Sequence, residues 1–244
     1  MSTAMTYEQY FTPDPSLRDP RPESDMLPEM LPSLSSRTIS LHSAISVHGW
    51  DFFDGRKVWY EAELEQNFAL VVAMRPDVVE IAEQPPAVTY FDDHGRKRPH
   101  TFDFKLRMMN GTSGLVAVKP FALVEKTGIR RVVELTAEQM PPSVADWTLL
   151  FTDLDLSLTD LFNAKVIHHA RRDPWPQDDA VVARLIRNLK GEISIGELAA
   201  RSGLGGYAFE AVVRAIADGK LKPVEYGMLD DNLAVVAAKR KRKA

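Results

Sequence analysis

Residues 101–120 read TFDFKLRMMNGTSGLVAVKP. From Thr101 to Met109 polar and apolar side chains alternate, the pattern of a strand with one buried face. Thr101, Asp103, Lys105 and Arg107 share one side; Phe102, Phe104, Leu106 and Met108 share the other. Asn110-Gly111 signals a hairpin, because both residues tolerate the positive φ of tight turns. Leu115–Val118 is the return strand, and Leu115, Ala117 and Lys119 lie on one side of it. Turn length then decides the chemistry. A two-residue turn pairs Met109 with Thr112 and Asp103 with Val118, placing Asp103 and Lys119 on opposite faces. A three-residue loop, or a bulge at Gly111, is expected to pair Asp103 with Lys119 on one face.

Upstream of this hairpin the period becomes helical from Trp59 to Met74. Leu64, Phe68, Val71 and Val72 recur at i, i+4, i+7 and i+8, and Arg75-Pro76-Asp77 ends the run. Residues 78–82 and 86–91 read as short extended segments broken at Pro85-Pro86, and Asp92–Gly95 is a turn. Downstream, 121–137 reads as a helix carrying Leu123, Ile129, Val132, Val133 and Leu135, closed by Pro141-Pro142, with a further strand at 147–152. Helix, antiparallel strands and helix make a mixed α/β core. Its early apolar residues are Leu41, Ile45, Val47, Trp50, Phe52 and Phe53, with a turn at Asp54-Gly55.

The flanks differ in composition. Six of the 16 prolines fall in residues 1–35, which predicts a disordered, acidic leader ahead of a core domain at 36–155. Residues 156–174 read as a connecting helix and linker. In 175–238, helices at Asp178–Leu189, Ile195–Gly203 and Tyr207–Ile216 precede two apolar segments joined at Leu229–Asn232. That order predicts a winged-helix domain, a helix–turn–helix followed by a hairpin. The Gly203, Gly205 and Gly206 cluster reads as the turn between helices, since no lysine follows at phosphate-loop spacing. A basic tail, 239–244, closes the chain.

The 244 residues carry a net charge of −4, which on average argues against a nucleic-acid partner. The average hides a leader at −4, a body at −5 and a tail, Lys239-Arg240-Lys241-Arg242-Lys243, at +5. The tail reads either as solvated chain or as a phosphate-seeking arm. No stretch reaches the roughly 18 apolar residues of a membrane span, so no membrane partner is expected. The absence of Cys excludes disulfides and thiolate metal sites, and fits a cytoplasmic protein.

Glu65 on a helix, Asp103 on a strand and Lys119 on its partner form a set suited to phosphodiester cleavage. Carboxylates hold Mg²⁺ or Mn²⁺, while a lysine orients water and stabilises the transition state. Arg96, Lys97, Arg98, Lys105 and Arg107 flank Asp103 and could track DNA phosphates, as could Lys239–Lys243. Other candidates have plainer readings. Glu61 and Glu63 suit an exposed helix face and His94 a turn, while His100 has the opposite strand parity to Asp103. His168 and His169 are adjacent on a helix and cannot face one site, so they read as a polar helix end.

These segments resemble TnsA-type endonucleases, the strand-cutting subunits of multi-protein transposases. Tyr60–Phe68 is similar to the family's S-x-L-E-x-x-F helix, and Arg75–Val79 to its D-P-x-V. Glu83-Gln84-Pro85 resembles E-Q-P, His100–Phe104 resembles Y-x-P-D-F, and Leu115–Pro120 resembles l-v-E/Q-V-K-P. The resemblance spans about residues 59–120. It implies a restriction-endonuclease-like core with a C-terminal winged helix, in a bacterial cytoplasmic enzyme. Glu65 and Asp103 would bind Mg²⁺ or Mn²⁺, and Lys119 would be the catalytic lysine. The partners implied are DNA, a separate transposase subunit and an ATP-dependent regulator. Phe102 stands where the family often has Pro, and Ala117 replaces the Glu or Gln that usually helps bind metal; Glu125 is a possible substitute. Ala117 keeps a second reading open, a catalytically weakened or inactive DNA-binding and assembly factor acting through its winged helix and tail. A transcription regulator is the third.

Overall fold

A computed structural model describes residues 31–36, 49–53, 55–172 and 174–238. A hairpin of β1 (Gly49–Phe53) and β2 (Arg56–Tyr60) leads into α1 (Glu63–Ala73). The helix therefore starts later than its apolar period suggested, since Trp59 and Tyr60 belong to a strand. Next come β3 (Val78–Glu83), a second hairpin of β4 (Val88–Phe91) and β5 (Lys97–His100), then β6 (Phe104–Met108) and β7 (Ser113–Val118). Helices α2 (Phe121–Thr127) and α3 (Ile129–Gln139) cross over to β8 (Trp147–Phe151). The helix expected over 121–137 is split at Gly128, whose φ of +66° suits glycine and breaks the helical path.

The central sheet has the order β3-β6-β7-β8. β6 runs antiparallel to both β3 and β7, while β8 joins β7 in parallel. Parallel pairing needs a long crossover, and α2 with α3 supply it. Gly114 sits opposite Trp147, whose indole occupies the space a Cβ would need. One face of the sheet presents Ile81, Phe104, Leu106, Val116 and Val118 to Phe68, Ala69 and Val72 of α1. The other presents Leu115 and Ala117 to Val124 of α2 and to Ile129 and Val133 of α3. Covered on both sides, β7 is a continuous apolar run rather than an alternating one.

Two expectations about the 101–120 stretch are corrected. Residues 101–103 are not strand: β5 pairs only with β4, and β6 begins at Phe104. The Asp103 N–H and the Phe104 pairing both fall on Val116, so one extra residue is inserted at this point. The insertion breaks side-chain parity. Phe102 is buried with Leu115 and Ala117, whereas Phe104 is buried beneath α1. The turn is a three-residue loop, Met109-Asn110-Gly111, with Gly111 at φ +87° and Met108 N–H donating to the Thr112 carbonyl. Arg107 therefore pairs with Ser113 and Phe104 with Val116, and the inserted Asp103 shares Val116 with Phe104 instead of pairing with Lys119.

The leader boundary also moves. Leu31–Ser36 crosses the β2 and β3 ends: Leu31 N–H donates to Gly55 O and Ser36 N–H to Gln84 O, both at 3.0 Å. Leu41, Ile45, Val47 and Asp54 lie outside the described residues, and Trp50 is exposed rather than core.

Helix α4 (Leu158–Arg172) runs between two cores, contributing Ala164 to the one beneath α1 and Ala170 to a C-terminal one. The latter gathers α5 (Pro176–Asn188), β9 (Glu192–Ser194), α6 (Ile195–Ser202), α7 (Ala208–Ala217), β10 (Leu221–Pro223) and β11 (Ala234–Ala237). The three short strands pair in the order β10-β11-β9. Ser194 caps α6 by accepting the Glu197 N–H at 3.1 Å. The histidines of α4 diverge, as adjacent helical residues must. His168 Nε2 meets Asp51 of β1 at 2.7 Å, and His169 meets Glu210 of α7 at 3.3 Å. Instead of forming a merely polar helix end, they fasten α4 to two different neighbours.

Candidate functional site

Four chain ends meet at one end of the central sheet: the close of β3, the entry to β6, the close of β7 and the first turn of α1. The inserted residue turns Asp103 back along β7, and its Oδ2 accepts the Val118 N–H at 2.7 Å. Lys119 leaves β7 with its own N–H donating to Phe151 O at 2.9 Å, which keeps its backbone in line with the sheet. Glu65 lies in the first turn of α1, which has no side-chain cap of its own. Its Oε2 accepts the Glu61 N–H at 2.8 Å, so a carboxylate satisfies one of the loose N–H groups there.

Electrostatics joins the three residues singled out from sequence. Glu65 is 8% exposed, and its carboxyl is pushed up from 4.5 to about 7. Burial is the main cause, and the charge of Asp103 comes second; the Glu61 N–H and the Lys119 ammonium pull the other way. Two carboxylates within range of one another, the more buried one holding its proton near neutrality, form a place that a cation would stabilise. Mg²⁺ commonly uses one or two carboxylates plus substrate phosphate, so this pair suits it. Among the described residues no three His, Asp or Glu side chains stand close enough together to enclose a metal.

Ala117 is 2% exposed and lies within the apolar cluster beneath α2 and α3. Glu125 is exposed on α2, and the main influences on Glu65 do not include it. Two other residues do belong to this end of the sheet. His100, at the end of β5, packs edge-on against Phe102 with ring centroids 4.7 Å apart. Burial and then the Lys119 charge hold its imidazole below the usual value, keeping it neutral near pH 7. Strand parity does not separate it from Asp103, because His100 ends β5, which pairs with β4, and residues 101–103 are not strand. Glu83, the last residue of β3, is fully buried, and Ser33 Oγ donates to its Oε1. Its sequence signal was a carboxylate sharing strand parity with buried Ile81.

The proposed phosphate track is uneven. Arg96 and Lys97 are exposed near the β4–β5 turn. Arg98 pairs with Asp92 at 3.1 Å, Arg107 with Glu80 at 3.4 Å, and Lys105 Nζ donates to Val144 O at 2.7 Å. Lys239, Arg240, Lys241, Arg242 and Lys243 lie outside the described residues. A cavity of about 150 Å³ lined by Leu31, Phe53, Arg56, Ala73, Glu80 and Ile81 sits toward the other end of α1, apart from Glu65, Asp103 and Lys119.

The second helix of the helix–turn–helix pattern is covered. No residue of α7 is exposed. Arg214 is 6% exposed; its Nε donates to Asp179 Oδ1 at 2.7 Å and its Nη1 to Ala170 O at 2.9 Å. α4 packs along the side that carries Glu210 and Arg214, while α5 and α6 pack on the helix as well.

No protein-family model matches this chain, and no curated protein matches it closely. Among the described residues no helix is long and apolar enough to cross a membrane.

Proposed function

We propose that the protein is a divalent-metal-dependent DNA endonuclease subunit of TnsA type, with a restriction-endonuclease-like core and a winged-helix-like C-terminal region. The observation that carries this reading is that Asp103, fixed by the Val118 N–H, and Lys119 both act on buried Glu65 at one end of the sheet, although the three lie apart in sequence. Glu65 and Asp103 would hold Mg²⁺ or Mn²⁺. Bound there, the cation supplies charge neutralisation and water activation for phosphodiester hydrolysis. The Lys119 ammonium stabilises negative charge gathering on the phosphate and orients the attacking water. The Asp103 carboxylate is fixed by the Val118 N–H, so it meets the cation without reorganising. Neutral His100 beside Lys119 adds no positive charge to repel that ammonium.

Occlusion of α7 favours a C-terminal region that docks to protein, such as the transposase subunit or ATP-dependent regulator that the resemblance implies, over one that reads operator DNA. Ala117 favours the second reading, a nuclease fold with weakened catalysis that serves in assembly. Nicking of supercoiled plasmid with Mg²⁺ or Mn²⁺ separates the two. The enzyme reading expects wild type to convert supercoiled to open-circular DNA and Asp103→Ala to lose that activity. Equal background conversion by both proteins rejects it.

A further inference from the structure

Resting on the proposed DNA substrate, we propose that the outward face of the β1–β2 hairpin is a stacking platform for unpaired nucleotides, with Trp50 and Trp59 taking bases and Lys57 a phosphate. In register, Trp50 stands opposite Trp59, and Asp51 opposite Val58. Alternation along each strand gives the ribbon two unlike faces. Phe53 and Val58 turn inward and are buried in the core beneath α1. Asp51 shares their side and is fastened to His168 of α4 at 2.7 Å. These contacts seat the hairpin. Trp50, Lys57 and Trp59 lie on the other side, where Trp50 is 44% exposed and Lys57 and Trp59 are half-buried.

The Lys57 ammonium lies over both indoles, 4.1 Å from the Trp50 centroid and 5.0 Å from that of Trp59. Cation–π attraction holds it there. No acidic residue occupies the outward positions of either strand. The face thus joins flat apolar rings to a positive charge. Its complement is a ligand with an exposed π face and an anion at short spacing, which describes a nucleotide outside a duplex. Bases within a duplex stack on one another and offer only their edges in the grooves, so a duplex suits this face poorly. Position ties the platform to the proposed chemistry, because β2 runs into the turn where the Glu61 N–H donates to Glu65 at 2.8 Å. Trp59 is two residues before Glu61, so the two Cα atoms are at most about 7.6 Å apart. A DNA strand gripped at Trp59 therefore lies next to the first turn of α1.

The test is fluorescence anisotropy of a labelled oligo(dT) of about ten nucleotides, bound to the full-length protein without divalent metal. Trp50→Leu keeps an apolar side chain but loses the stacking face, and should weaken binding about tenfold. Trp50→Phe, which restores a ring, should recover most of that loss. Lys57→Gln should reduce the slope of log K against log [salt] by about 0.7, the value for one single-strand phosphate. A blunt duplex of the same length should bind Trp50→Leu and wild type alike. Thermal melts establish which variants fold. Should Trp50→Leu not fold, quenching of wild-type tryptophan emission by oligo(dT) and not by duplex reads the stacking without any substitution. Unchanged oligo(dT) affinity in folded Trp50→Leu, an equal loss for duplex, or no oligo(dT) binding by wild type overturns this inference. Plasmid nicking that depends on Asp103 would then leave the endonuclease reading in place. Trp50-dependent oligo(dT) binding by a protein that does not nick supports the platform and rejects the endonuclease reading alone.

Discussion

Replacing Glu65 with Gln should stabilise the metal-free protein, by an amount set by pH. The carboxyl is raised from 4.5 to about 7 in the folded state, a difference equivalent to about 3 kcal/mol. A raised folded value means that the native state holds the proton more tightly than the unfolded chain does. The stability tied to that proton is fully present below about pH 4.5 and is lost as pH rises through about 7. Gln is permanently neutral and can still accept the Glu61 N–H. The variant should therefore exceed wild type by about 3 kcal/mol at pH 8 and by under ~1 kcal/mol at pH 5. Urea unfolding followed by tryptophan fluorescence at both pH values measures the gap. Saturating Mg²⁺ at pH 8 should stabilise wild type and narrow it, because the cation matches the charge that burial penalises. A gap that does not change between pH 5 and pH 8, or a Gln variant less stable at pH 8, would refute the electrostatic account of this site.

Two further outcomes follow from the surface and the C-terminal region. Arg96→Ala with Lys97→Ala should weaken binding to non-specific duplex DNA and reduce the salt dependence, the slope of log K against log [salt], by about two. Arg107→Ala, whose guanidinium already faces Glu80, should change the slope by less; fluorescence anisotropy across a salt series compares them. Arg214→Ala removes the cation that bridges Asp179 and Ala170 O inside the C-terminal core, and should cost about 3–5 kcal/mol in a thermal or urea melt. A loss of stability below 1 kcal/mol would mean that the Arg214 bridge adds little to the apolar packing and the His169–Glu210 contact that also join α4 and α7.

The sequence by itself determined the mixed α/β class, most element positions, the Asn110-Gly111 turn and the candidates Glu65, Asp103 and Lys119. These features are local: periodicity, turn chemistry and residue type express themselves over a few neighbours. Tertiary structure decided what depends on partners distant in the chain. One inserted residue at Asp103 put Phe102 and Phe104 on opposite sides of the sheet, and the position of the turn kept Asp103 from pairing with Lys119. His100 ends a strand of a separate hairpin, where parity with Asp103 has no meaning. The burial of Glu83 depends on the strands and helix around it, and its Oε1 contact on Ser33, fifty positions earlier. The sequence placed α7 as the second helix of a helix–turn–helix, and only the fold shows how α4, α5 and α6 pack around it. Charge followed the same division: composition gave the total, but burial beside Asp103 is what raises Glu65 to about 7. Desolvation and Coulomb coupling are set by three-dimensional neighbours, and a linear pattern does not carry them.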